Sequence, residues 1–468
     1  MNAHAPGAMA PRQQSPLLAA DTWMAQVAVL GGARSWSWWQ VHAAARALAS
    51  ELPDGATVCN LCRSRAGFLV VWLAALRRRC LLVLPPSGGR ADLAAVLAAC
   101  HRPVVLFDEP ADLQPEWAAM APCRLFQPEP DLGAPAGTGL SWSPAWDAPL
   151  IRLYTSGSTG LPEPQVKTLG CLERGAQTLG ERLGQEIEGG LPMLRRIVCS
   201  VPTQHMFGVE AAVMLSLVHG LPLVERHPLL PADVRSACAA AGDGVVWVTT
   251  PLHLRALVRS GTQVPNCSAV IVSTMPLAAA VAVQAEGLLG APVLEIYGTT
   301  ETGALAMRRG ATQTDWTPLA GVELSPSPDG ALAWGGHFDS PQRLADQIEL
   351  GHGSFRLLGR QSDLIKIAGR RASLAGLNLL LQDMPGPDDA CFYLPHTGAD
   401  AERLVLIHAG APLDTAAVRA WLRRHMDPVF LPRAFIQVAR LPRTEGGKLP
   451  QEALRRIHAA WLAGSVEP

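Results

Sequence analysis

The chain has 468 residues, 49% of them hydrophobic and 17% charged, with a formal net charge of −1. That length exceeds one ordinary core and predicts two or more domains of globular rather than disordered character. Near-neutral charge gives no electrostatic case for binding nucleic acid or an anionic membrane. The ten cysteines are scattered. The close pair Cys59 and Cys62 has no second such pair or nearby histidines to complete a zinc site. Buried free thiols in a reducing cytoplasm are therefore expected. The apolar stretch 68–84 is broken by Arg77, Arg78 and Arg79, and 211–224 is short and holds His219, so no membrane span is expected. Residues 1–16 lack the apolar core of a signal peptide and are expected to fray.

Residues 35–51 read as a helix, 58–61 as a strand, 66–76 as a helix, 81–84 as a short strand, 91–100 as a helix and 103–107 as a strand. This alternation argues for an α/β layer with a parallel sheet. Residues 110–148, rich in Pro, Gly, Ala and Trp, read as irregular covering. A second series follows: helices at 172–183, 205–218, 231–241, 253–260 and 278–289, and strands at 196–200, 222–224, 245–249, 269–272 and 293–297. Residues 316–349 turn to short β segments with turns such as Pro328-Asp329-Gly330. From about Asp363 the tail reads as a small α+β unit, with strands at 391–394, 404–408 and 434–438 and a helix at 415–425. The fold class expected is α/β: a large N-terminal domain of two α/β subdomains plus a β-rich part, then a small mobile α+β domain.

The stretch 154–168, YTSGSTGLPEPQVKT, is the chemical focus. A strand at 149–154 runs into Ser156-Gly157-Ser158-Thr159-Gly160. Glycines let backbone N–H groups approach an anion, and hydroxyls add donors for phosphate oxygens. No Gly-Lys-Ser/Thr follows at Walker A spacing. A Ser/Gly-rich surface loop is the plain alternative. Four further stretches accompany it: 202–208 (PTQHMFG), 297–303 (YGTTETG), 359–369 (GRQSDLIKIAG) and 441–448 (LPRTEGGK).

In this order, over residues 149 to 468, the set resembles the adenylate-forming superfamily of acyl/aryl-CoA synthetases, luciferases and peptide-synthetase adenylation domains. The resemblance implies ATP-dependent activation of a carboxylic acid as an acyl-adenylate, release of pyrophosphate and transfer to a thiol, with Mg2+. It implies that Thr155, Ser156, Gly157, Ser158, Thr159 and Gly160 hold the β- and γ-phosphates. Tyr297, followed by Gly298 and Thr299, matches the residue that stacks on adenine; a core tyrosine at a strand end is the alternative. Thr300 matches a hydroxyl on the α-phosphate, and Glu301 the carboxylate that orients magnesium. Asp346 stands where the family binds both ribose hydroxyls, although Leu344-Ala345 replaces the usual Thr-Gly before it. Arg360 matches a ribose or phosphate contact. Lys448 matches the lysine that stabilises charge developing at the α-phosphorus. His205, Ser273, Thr274 and Met275 match the walls of the acid pocket. Thr274 and Met275 are bulkier than the usual Gly-Ala, which suggests a small aromatic or short acid. Lys366 matches the lysine of the thioester-forming orientation, and Ser362 the hinge. The implied domains are 1–358, a hinge at 359–362 and a mobile domain at 363–468.

Three positions depart from the pattern. Glu163 stands where the phosphate loop usually has lysine, a repulsive arrangement unless it points away or contacts magnesium. Lys167 is the candidate replacement cation, with a solvated strand residue as its alternative. Ser362 replaces Asp or Lys at the hinge, and Gly376 and Asn378 replace two glutamates. The run 165–170 also resembles stand-alone AMP-ligases of bacterial aryl polyene and xanthomonadin pathways. That likeness implies an acyl carrier protein as acceptor and a hydroxybenzoate-type acid, with free CoA as the alternative. A non-catalytic nucleotide-binding scaffold, or a ligase that stops at the adenylate, are the rivals.

Overall fold

The computed structural model describes residues 26–31, 35–85, 90–109, 121–125, 145–156, 162–328, 330–360, 364–395, 403–443 and 449–464. The chain forms two compact units. The first comprises Met1–Gly184, Leu194–Val198 and Thr203–His227; the second comprises Gln185–Met193, Cys199–Pro202 and Pro228–Pro468.

In the first unit a six-stranded sheet runs in the order Cys123–Leu125, Pro103–Phe107, Thr57–Asn60, Leu81–Val83, Pro149–Ser156, Pro162–Thr168. The first five strands are parallel and the last returns antiparallel. The strand Cys123–Leu125 falls where irregular covering was expected; its three residues are too few to carry a period in sequence. The helix Arg65–Arg77 is buried almost all round, with Phe68 and Trp72 at its centre. Such a helix has no polar face for sequence periodicity to reveal. Its start is fixed by Ser64, whose Oγ accepts from the Gly67 N–H while its own hydroxyl donates to Asp108. The helix Trp38–Glu51 starts at Ser37 through a capping box with Gln40. Residues 36 and 37 are a short strand rather than the first turn of that helix.

The second unit opens with three parallel strands, Val245–Thr249, Cys267–Val272 and Val293–Thr299. The connecting helices are Pro251–Ser260 and Ala279–Leu289. These strands are apolar because both faces are covered. The fully buried Trp247 satisfies its indole N–H on Ser200 Oγ at 2.9 Å. Gly303–Arg309 then pairs antiparallel with the third strand. A three-stranded meander and the hairpin Asp346–Leu350/Phe355–Arg360 follow.

The C-terminal part, from residue 364, has a sheet of Asp389–Tyr393, Val405–Ala409 and Ala434–Val438. Alternation along its strands sends Phe392 and Leu406 to one core and Tyr393, Val405 and Ile407 to the other. The helix Gln451–Leu462 closes the second core through Leu454. Side chains also join this part to the helix Pro251–Ser260. Arg259 donates to the Pro387 and Asp388 carbonyls, and Arg255 lies 3.6 Å from the Asp389 carboxylate. No helix among the described residues is long and apolar enough to cross a membrane.

His42 illustrates the cost of charge in the first unit's core. Burial first, and then the Arg77 charge, pull its imidazole down to about 4. The neutral ring nitrogen Nδ1 lies 3.3 Å from Arg77 Nη2 and accepts from it. In the unfolded chain the ring titrates at about 6.5, so as pH falls the unfolded state takes up the proton first. Stability is therefore complete above about pH 6.5 and declines toward pH 4, by up to about 3 kcal/mol. Tm measured across that window should fall less steeply in His42→Gln than in the wild type; parallel slopes would assign the acid sensitivity elsewhere.

Candidate active site

The strand Val293–Thr299 and its return strand Gly303–Arg309 present Thr300 and Glu301 at a tight tip. Two hydroxyls close that tip. Thr302 Oγ1 accepts from the Thr299 N–H at 2.9 Å and donates to the Gly303 carbonyl at 2.8 Å. Thr299 Oγ1 accepts from the Thr302 N–H at 3.2 Å. The buried His337 donates through Nε2 to the Thr302 carbonyl at 2.9 Å. Gly298 is required here, since a Cβ would stand 2.0 Å from the Gly303 carbonyl oxygen. The parallel strands therefore end in a cross-linked tip that carries one hydroxyl residue and one carboxylate residue, both half-buried. That is where ligands bind in α/β sheets.

Tyr297 lies on the same strand. Its ring packs on Trp316 and Phe355 at centroid distances of 5.6 and 5.9 Å. Arg308 covers Trp316 at 4.4 Å, and pairs with the buried Glu295. Burial, opposed by Arg308, pushes the Glu295 carboxyl upward. The Tyr297 hydroxyl donates to Asp346 Oδ2 at 2.8 Å. Asp346 is buried, begins its strand, and stands directly opposite Arg360 in the antiparallel register. Three residues predicted to surround the nucleoside are thus brought together from positions far apart in sequence. The described residues hold no cluster of three or more His, Cys, Asp or Glu that could ligate a metal. Glu301 fits Mg2+, which is commonly held by one or two carboxylates plus phosphate oxygens and water.

Ser273, Thr274 and Met275 follow the strand Cys267–Val272. Ser273 Oγ donates to the Ile296 carbonyl at 2.9 Å, tying this segment to the strand that bears Tyr297. Sequence reading did not anticipate the bracing around it. The Leu277 N–H reaches Glu295 Oε1 at 3.3 Å, and Gln382 bridges the Pro276 carbonyl and the Ala278 N–H. Glu295, Gln382 and Arg308 carried no local signal, because their partners are distant in sequence.

The remaining predicted residues of the nucleotide and acid sites lie in the first unit. Thr155 and Ser156 end the strand Pro149–Ser156; Gly157, Ser158, Thr159 and Gly160 lie outside the described residues. Glu163 is exposed and stands opposite Thr155, at the loop end of the hairpin. Lys167 stands opposite Ile151, four residues further on, about 13 Å along the strand. It is 7% exposed, so it is not a solvated strand residue. His205 is the N-cap residue of Met206–Gly208, from which the helix continues as a π-helical turn, Val209–Met214. Such turns occur often at functional sites. The turn carries the buried Glu210, which sequence reading passed over.

In the C-terminal part Lys366 is exposed on a hairpin whose turn, Ala368-Gly369, has both φ angles positive. Ser362 and Lys448 lie outside the described residues. Arg443, five residues before Lys448, makes a two-pronged ion pair with Asp389, through Nη2 to Oδ1 at 2.8 Å and Nε to Oδ2 at 2.5 Å. Asn378, at a departure from the family pattern, accepts the Phe392 N–H at 2.6 Å and pins its helix to the sheet.

Residues 18–326 match the family of AMP-binding enzymes. The 4-coumarate–CoA ligase of Cereibacter sphaeroides is 27% identical over 306 residues, spanning 63% of this chain and 69% of its own length. Enterobactin synthase component F of Escherichia coli O157:H7 is 25% identical over 374 residues, 64% of this chain but 28% of that protein. Among solved structures, o-succinylbenzoate CoA synthetase from Bacillus subtilis, in complex with its acyl-adenylate intermediate, superposes with a TM-score of 0.77 at 17% identity. That match covers 92% of this chain and 95% of the other. At that identity the superposition establishes the fold. The chain belongs to the AMP-binding enzyme family, the adenylate-forming acid–thiol ligases that work with ATP and Mg2+.

Proposed function

We propose that this enzyme activates a hydroxybenzoate-type acid as its adenylate and passes the acyl group to the phosphopantetheine thiol of an acyl carrier protein. The observation that carries the adenylation half is the bond from Tyr297 to Asp346, with Arg360 opposite and Glu301 on the adjoining tip. The thiol half is supported by relatives named as CoA ligases and as a component of enterobactin synthase. Free CoA is the competing acceptor. A cytoplasmic location agrees with ten free cysteines.

In the proposed reaction a carboxylate oxygen of the acid bonds to the α-phosphorus and pyrophosphate leaves. The thiol sulfur then bonds to the acyl carbon, AMP leaves, and the thiol proton is lost to solvent. The acid is already ionised at neutral pH and needs no base. Asp346 and Arg360 hold the ribose and Tyr297 the adenine, flanked by Gly298 and Thr299. Thr300 donates to the α-phosphate, and residues 155–160 hold the outer phosphates. Glu301 would hold Mg2+, which when bound supplies neutralisation of phosphate charge. Lys448 meets the charge that develops at phosphorus. His205, Ser273, Thr274 and Met275 contact the acid. Residues 363–468 turn about 359–362, where Gly359 has a φ of +103°, to bring Lys448 inward for adenylation and the Lys366 face inward for transfer.

Pyrophosphate release with a panel of aryl, short and long acids, followed by both CoA and a holo carrier protein, tests this reading directly. Hydroxybenzoates and a loaded carrier are expected. Exclusive acyl-CoA formation would replace the acceptor, and no acid-dependent release would favour a scaffold.

Lys448→Ala should lower pyrophosphate release by about 100-fold or more, with little change in the KM for ATP. Asp346→Ala should instead raise that KM by about tenfold, and Tyr297→Phe by less, because the ring remains. A lowered kcat with unchanged KM in Asp346→Ala would remove the ribose assignment.

Lys167→Ala distinguishes two roles for a buried ammonium. A raised KM for ATP is expected if it replaces the loop lysine. A lower Tm with KM unchanged would make it a core ion-pairing residue, and the phosphate loop would then work without a lysine.

A further inference from the structure

Thr274 combines two anomalies. Its φ is +86°, and among the described non-glycine residues with positive φ, which include Arg79, Arg102, Asn266 and Ala368, it alone is β-branched. A β-branched side chain there is a true outlier, since its Cβ crowds the backbone. Its hydroxyl oxygen is also buried and has no hydrogen-bond partner among the protein groups. Both features are unfavourable for folding, and neither is an accident of a loose loop. Ser273 anchors the segment to Ile296 on one side; Glu295 and Gln382 brace Leu277, Pro276 and Ala278 on the other. A surrounding framework that holds a strained residue in place is the usual setting of a ligand contact. The place agrees, because the segment leaves the carboxyl end of Cys267–Val272, beside the strand that bears Tyr297.

We propose that Thr274 determines specificity: its hydroxyl bonds a hydroxyl substituent of the acid, so that the enzyme selects hydroxylated over plain carboxylic acids. The inference rests on the adenylation activity proposed above and names the residue that reads the hydroxyl of its acid. A threonine hydroxyl can both donate and accept, and so can a phenol or alcohol. An acid without the substituent leaves the buried oxygen unsatisfied, and that penalty is what separates the two substrates. An adenine nitrogen could meet the same hydroxyl, which would appear in the KM for ATP rather than for the acid.

The test compares 2-, 3- and 4-hydroxybenzoate with benzoate in pyrophosphate release, for the wild type, Thr274→Val and Thr274→Ser. Valine keeps the shape and the β-branch and removes only the hydroxyl. The wild type should favour at least one hydroxybenzoate over benzoate by about tenfold or more in kcat/KM. Thr274→Val should bring that ratio toward one, raising the KM of the hydroxylated acid far more than that of benzoate, with the KM for ATP unchanged. Thr274→Ser should restore the preference. The unliganded valine variant should melt no lower than the wild type, because no internal bond is lost. The inference is overturned if the ratio survives in Thr274→Val, if both acids lose equally with a lowered Tm, or if only the KM for ATP rises. A wild type inert toward every acid would instead overturn the activity itself before any variant is compared, so the two failures are distinct.

Discussion

The hydroxyl of Tyr297 lies 2.8 Å from Asp346 Oδ2, and much of the second unit is arranged to keep it there. The ring cannot turn freely, because Trp316 and Phe355 pack against it. Trp316 is itself covered by Arg308, which the buried Glu295 holds in place. A carboxylate buried as deeply as Glu295 would be costly alone; paired with Arg308 it becomes a fixed strut. From Glu295 the chain of contacts passes both to Tyr297 and, through the Leu277 N–H, to the segment at Thr274. The proposed nucleoside and acid contacts of this unit therefore share one framework, and displacing any strut would move both.

Preorganisation explains why the strain is concentrated where it is. The tip at Thr300 and Glu301 is cross-linked by Thr299 and Thr302 and lies over a glycine that tolerates no side chain. In the role proposed for Thr300 and Glu301, groups that meet a phosphate act best when they need not rearrange as charge develops. The same demand for a fixed backbone accounts for the brace from Gln382, which reaches from the C-terminal part to Pro276 and Ala278. A rotating C-terminal domain would have to give up that brace, together with the contacts of Arg255 and Arg259. Each is a polar contact rather than an interlocked apolar core, and such interfaces permit relative motion.

The family was legible from short motifs. The order of five stretches identified the family, because phosphate loops, strand-end tips and a late lysine depend on local backbone and local residue types. The parallel layers were legible too, since Val, Ile and Trp in 245–249 and 267–272 mark strands covered on both faces. Less legible were elements without a period. The helix Arg65–Arg77 has no polar face, Cys123–Leu125 is too short, and the π turn at Val209–Met214 replaces what reads as an ordinary helix.

The sequence by itself determined the fold class, the adenylate-forming family, and the residue types of the proposed phosphate loop and of the Thr300-Glu301 tip. These follow from spacing along one strand and one turn. Only the tertiary structure decided that Asp346, whose local motif is poorly matched, meets Tyr297 and faces Arg360, because register between strands is set by long-range pairing. It also decided that Lys167 is buried rather than solvated, about 13 Å along the strand from Glu163. And it showed that Thr274, in sequence merely a bulkier residue than expected, is held at a φ suited to glycine with its hydroxyl unsatisfied. Burial and backbone strain arise from what surrounds a residue in space, and no local pattern encodes them.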